Sequence, residues 1–219
     1  MINFPKSTII EKKIPKTRFY ENIELSSKIK QKFVNYIDSI YLMNKFSKDT
    51  ININPTNEVE EIFVFKVILK SEKYLSSVDE LLLIIDRAVP YPILFQIFVN
   101  DVLKYLKIAK KERSKVDSNK FVIDIYLSKE FDTSFEKKFG NIYNALNLEV
   151  FYHNILRLFL ENKKEDINSE IERHKLKLEL EREIEKLEKL VSKEKQSDKQ
   201  YKLFNELKVK RKELKLINS

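Results

Sequence analysis

The chain has 219 residues and a formal net charge of +8, with 42% hydrophobic residues, one glycine, two histidines and no cysteine or tryptophan. The absence of cysteine excludes a disulfide scaffold, a thiolate zinc site and a cysteine nucleophile. Gly140 alone cannot supply a Gly-rich phosphate-cradling loop or the strained turn of a G-x-S-x-G nucleophile. With only His153 and His174, a His-dominated metal centre is disfavoured, and no cofactor is expected.

In chain order, the first 20 residues read as extended, because Pro5 and Pro15 oppose helix while Ile9, Ile10 and Ile14 can lie on a surface. Ser26 or Ser27 then caps an amphipathic helix in which Ile29, Phe33, Tyr36, Ile37, Ile40 and Tyr41 recur at steps of three and four. A short strand is expected at Thr50–Ile53, ended by Pro55. Glu61–Leu69 (EIFVFKVIL) is the clearest strand, apolar on both faces until Lys66 and therefore central in its sheet. Ser77, followed by Asp79 and Glu80, caps a helix that stops before Pro90. Ile93–Val99 reads as a strand, and Asn100–Asp101 as a two-residue turn into a second strand, Val102–Ile108. Val102, Leu103, Leu106 and Ala109 also fit a helix capped by Asn100, but the hairpin is favoured. Phe121–Leu127 is another β-rich run, and Ile142–Leu160 reads as a helix apolar almost all round, hence buried against the sheet.

Beyond this point the composition changes. Residues 1–162 carry 25 basic and 21 acidic groups, and residues 163–219 carry 17 and 13, so each part is +4 although the second has only 57 positions. The tail reads as helix: Leu180, Ile184, Leu187 and Val191 follow a coiled-coil seam, and Phe204, Leu207, Arg211 and Leu214 resume it after a polar stretch. Two short seams suggest an antiparallel hairpin turning near Gln196–Asp198, with one long helix docked on a partner as the other option. The expected architecture is α/β, with α+β as the variant. It is a single mixed-sheet domain over 1–162, followed by an α-helical coiled-coil hairpin over 163–219, without internal repeats. No stretch suits a membrane span, since Val89–Val99 is about half the length required, and no export signal is visible. A cytoplasmic protein is the expectation.

Three groups of residues invite a functional reading. Lys104, Lys107, Lys110, Lys111 and Arg113, continued by Lys115 and Lys120, form the best candidate for nucleic-acid contact, because clustered cations bind phosphates without reading sequence. The competing reading is a solvated or charge-protected edge strand. A second basic group, Lys6, Lys12, Lys13, Lys16 and Arg18, lies in the extended arm, where Phe19 and Tyr20 could stack on single-stranded bases. Asp86, Asp101 and Asp124, completed by Lys107, are the residues a metal-dependent nuclease would use, although their spacing matches no template.

The segments MINFPKST, IPKTRFYE (Ile14–Glu21), NPTNEVEEIFVFKVILK (Asn54–Lys70) and DRAVPYPILF (Asp86–Phe95) follow one another in order, and LEKLVSKEKQSDKQYKLFNELKVKRKEL closes the tail. Together they resemble a bacterial and archaeal domain-of-unknown-function family that opens with an MINFPKST-type box and ends in a charged helical hairpin. The fourth box has Pro92 where that family commonly has His. The resemblance implies genes placed beside helicase-type translocases and DNA methyltransferases in restriction or phage-defence loci. The function it implies is that of an accessory, non-catalytic subunit of a DNA-processing assembly. Such a subunit would dock to a helicase/translocase or methyltransferase partner, with possible DNA contact and self-association through the hairpin. In that reading Leu180, Ile184, Leu187, Val191, Phe204, Leu207 and Leu214 supply the partner surface. A metal-dependent nuclease and a plain coiled-coil homodimer are the alternatives.

Overall fold

A computed structural model describes residues 2–20, 25–114, 116–117, 121–160 and 166–217. The chain divides into two compact units, Met1–Phe159 and Leu160–Ser219. Among the described residues, six strands of the first unit form one mixed sheet whose spatial order follows the sequence: β1 (Ile9–Ile14), β2 (Ile37–Phe46), β3 (Ile62–Leu69), β4 (Ile93–Val99), β5 (Val102–Arg113) and β6 (Phe121–Glu130). Neighbours are antiparallel except β3 and β4, which run parallel. A parallel pair requires a crossover, and helix α3 (Asp79–Ala88) provides it.

Two faces of this sheet are covered. Phe65, Val67 and Leu69 of β3 and Ile93, Phe95, Ile97 and Val99 of β4 pack in one cluster with Phe33 of α1 (Ser27–Tyr36) and with Leu81, Leu82 and Ile85 of α3. After the short helices α2 (Lys48–Ile51) and α4 (Thr133–Lys138) comes α5 (Leu148–Arg157). Phe151 of α5 meets the ring of Phe46 at 5.1 Å, and the Tyr152 hydroxyl reaches the backbone of β5. All seven residues of β4 are buried, which is why that strand lacks a polar alternation.

Several expected elements take a different form. The helix expected through Tyr41 ends at Tyr36, and Ile37–Phe46 becomes β2. Ile37 and Ile40 suit either element, but β2 pairs with both β1 and β3, and these two ladders outweigh a few more residues of helix. The strand expected at Thr50–Ile53 is instead α2, because Ser47 and Thr50 form a capping box and Asn52 ends the turn in the left-handed region at φ 55°. Helix α3 begins at Asp79 with no side-chain cap, and Ser77 ends a preceding 3-10 turn. The long buried helix is confined to α5, with Asn147 accepting from the Val150 N–H as its cap. The arm is a pairing strand: Lys16 donates to the Ile37 carbonyl at 2.8 Å, and Lys13 lies over the Tyr41 ring.

The second unit is an antiparallel helical hairpin of α6 (Ile167–Lys193) and α7 (Ser197–Ile217). Asp166 caps α6 by accepting from the backbone N–H groups of Asn168 and Ser169, which together with its bond to the Ser169 hydroxyl holds its carboxyl below the usual range. The turn occupies Glu194–Gln196, slightly earlier than expected, with Gln200 donating back to the Val191 carbonyl. Among the described residues no helix is long and apolar enough to cross a membrane.

The β4–β5 hairpin is closed by Asn100 and Asp101, both at positive φ (50° and 61°), as a two-residue primed turn requires. A β-branched residue tolerates this conformation poorly. Asp101→Val is therefore expected to lower stability by about 1–2 kcal/mol, and Asp101→Gly to change it by less than about 0.5 kcal/mol, as read from urea unfolding midpoints.

Candidate functional site

The basic run on β5 is where sequence and structure diverge most. A strand sends successive side chains to opposite faces, so the run does not form a single surface. Lys107 and Lys111 turn toward α3. Lys107 Nζ donates to Asp79 Oδ1 at 2.7 Å, at the start of that helix. Lys111, only 4% exposed, lies at its end, where Nζ donates to Asp86 Oδ1 (3.1 Å) and to the carbonyls of Asp86, Val89 and Tyr91. Four strand residues span about 13 Å and seven helical residues about 10 Å, so two lysines of β5 can grip both ends of α3.

The Asp86 carboxylate is fully buried and receives a second hydrogen bond from the Tyr126 hydroxyl of β6 at 2.7 Å. Burial pushes its pKa upward, while Lys111 and Tyr126 oppose the shift. Burial likewise lowers that of Lys111, opposed by Asp86. Every hydrogen-bond partner of the Lys111 ammonium is an oxygen acceptor and both partners of the Asp86 carboxylate donate to it, so the local geometry suits the ionised pair. Tyr126 stays protonated, its pKa raised first by burial and then by the neighbouring Asp86 charge. Beside the pair, Tyr152 accepts from the Lys111 backbone N–H and donates to the Ala109 carbonyl at the bulge in β5.

The rest of the run is also paired. Lys104 meets Glu72 at 3.3 Å, Lys110 meets Glu112 at 3.1 Å, and Arg113 meets Glu60 at 2.9 Å. Lys115 and Lys120 lie outside the described residues. The expected basic stripe is thus distributed among five carboxylates, four of which (Glu60, Glu72, Asp79 and Asp86) lie outside the β5–β6 hairpin. The positions Asp86, Asp101 and Asp124 do not gather. Asp86 is enclosed by Lys111 and Tyr126, Asp101 occupies the β4–β5 turn, and Asp124 is exposed on β6. Among the described residues, no group of three His, Asp or Glu side chains is arranged to hold a metal ion. His153 on α5 is half-buried, and burial lowers its pKa.

In the hairpin, Ile184, Leu187 and Leu207 form the core, joined by Val191, Leu203 and Leu214, and Leu180 is buried as well. These side chains face into the hairpin and leave little of themselves for a partner. The α7 seam runs Leu203, Leu207, Lys210 and Leu214, one register away from the expected Phe204, Leu207, Arg211 and Leu214. Lys210 fills its place because its stem can lie along the seam while Nζ reaches Glu183 and Glu213. Phe204 is consequently 50% exposed. It lines an open groove of ≈ 310 Å³ with Leu207, Lys208, Arg211, Lys212 and Lys215.

The family model described as "Domain of unknown function (DUF4391)" matches residues 2–214. The chain belongs to that family. Its match spans both the α/β unit and most of the hairpin, and it includes the Asp86–Tyr91 segment that encloses the Lys111 ammonium. No curated protein and no solved structure matches the chain.

Tyr126 and Tyr152 carried no signal in the sequence, because their importance lies in cross-strand and cross-layer contacts. Removing one member of the buried pair leaves the other uncompensated. Lys111→Met is expected to cost about 3–5 kcal/mol and Tyr126→Phe about 1.5–3 kcal/mol, both measured by denaturant unfolding of the full chain.

Proposed function

We propose that this protein is an accessory, non-catalytic subunit of a DNA-processing assembly of the restriction or phage-defence kind, acting in the cytoplasm. It docks through its helical hairpin to a helicase-type translocase or a methyltransferase subunit. The observation that carries this reading is the hairpin itself. Helices of 27 and 21 residues close their own seam, yet retain Leu190 (44% exposed), Tyr201 (68%) and Val209 (52%) on outer faces. Large apolar side chains on a helix pair that needs no further core are a natural anchor for another protein. The resemblance to a defence-locus family supplies the class of partner. The nuclease alternative draws no comparable support, since Asp86 is occupied in holding α3 and the other two carboxylates stand apart.

Coexpression with the translocase or methyltransferase encoded beside the gene tests this reading. The full chain should copurify with its partner, and both Leu190→Asp/Tyr201→Asp and deletion of residues 165–219 should abolish the association. A complex that survives both changes, or a full chain recovered only as a plain homodimer, contradicts it.

A further inference from the structure

The excess charge of the tail is not shared by its two helices. Helix α6 carries seven basic and seven acidic residues, whereas α7 carries seven basic and three acidic, so the whole +4 of residues 163–219 resides on α7. At about 100° per residue, Phe204, Lys208, Arg211, Lys212 and Lys215 fall on one side of α7, and its acids Asp198, Glu206 and Glu213 fall on another. Among the described residues, Lys208, Lys212 and Lys215 have no ion-pair partner within 4.0 Å, in contrast to the five paired cations of β5. Arg211 pairs with Glu188 at 2.7 Å, but both side chains are about half exposed (54% and 46%), and such a pair is weak enough to yield to a phosphate.

We propose that this face of α7, built on Phe204, Lys208, Arg211, Lys212 and Lys215, binds single-stranded nucleic acid. The cations succeed one another over roughly 11 Å of helix, with Phe204 extending the row to about 16 Å. They flank an open groove of ≈ 310 Å³ with a half-exposed aromatic ring at one end. A positive track beside an aromatic platform is the arrangement that holds a strand by its phosphates and stacks one base. Four cations beside one ring meet phosphates and a base face whatever the base, so the site recognises charge and a stacking face rather than sequence. An acidic peptide would meet the same charge but would leave Phe204 without a flat partner. This inference extends the proposed accessory role and stands on α7 alone. Partner docking relies on Leu190 and Tyr201, so either idea can fail without the other.

Fluorescence anisotropy of the full chain with fluorescein-labelled oligo(dT) of 20 nucleotides tests it. Four phosphate contacts predict a log Kd against log[NaCl] slope of about 3, hence roughly 50-fold weaker binding at 200 mM than at 50 mM. Lys208→Glu/Lys212→Glu/Lys215→Glu should weaken binding at least 30-fold and Phe204→Ala roughly tenfold, with the helical circular dichroism signal retained. The corresponding Gln triple variant should also weaken binding, without introducing new acids. Lys195→Glu/Lys199→Glu, at the turn end of the hairpin, should leave it unchanged. The proposal is overturned by absence of binding at 50 mM NaCl, by undiminished binding in the triple variants, or by an oligoglutamate peptide that binds in preference to the oligonucleotide.

Discussion

The grip of β5 on α3 is the interaction on which the α/β unit depends. Only one join in the sheet is parallel, and the chain must cross over from the end of β3 to the start of β4 to make it. Lys107 holds the first turn of the crossover helix through Asp79, and Lys111 holds its last carbonyls together with Asp86. A lysine at a helix C-terminus satisfies orphan carbonyls and complements the dipole, and an aspartate in the first turn does the converse. Because Tyr126 of β6 closes over the same carboxylate, one buried group ties helix, fifth strand and sixth strand together. Separating such a pair would leave charges uncompensated in a low-dielectric interior, which holds the helix where both partners meet.

This use of lysine explains why the basic run misleads as a linear pattern. Sequence adjacency gathers Lys104 to Arg113 into one cluster, but strand geometry, two register shifts and five carboxylates distribute them. Local features were more legible. The Asn100–Asp101 turn, the central position of β3 and the β6 run depend on residues close together in the chain, where turn conformation and side-chain shape decide the outcome. The boundary between α1 and β2 was not legible, because Ile37 and Ile40 serve either period and only pairing on both sides of β2 selects the strand. Tyr126 could not be assigned a role until the strand register brought its hydroxyl to Asp86. In the hairpin, treating lysine as purely polar hid the place of Lys210 in the seam, and the resulting shift of register placed Phe204 inside when it lies outside.

The charge of the chain acquires a different meaning from this arrangement. An overall +8 divided equally between two regions suggests a diffuse basic protein. The described structure instead pairs the cations of β5 internally, leaves α6 neutral and concentrates the tail's excess on α7. Family membership covers both units, so the proposed roles concern the chain as one protein: an α/β unit whose prominent charges serve its own architecture, and a hairpin whose seam is closed and whose outer faces remain for other molecules.

Reactivity of individual lysines toward an amine-acylating reagent, followed by peptide mass spectrometry on the native full chain, tests this division most directly. Lys107 and Lys111 should resist modification until the protein unfolds, whereas Lys208, Lys212 and Lys215 should react at rates close to those of the unfolded chain. Modification of Lys111 in the folded protein as fast as that of Lys208 would contradict the claim that β5 cations hold α3 while those of α7 face outward.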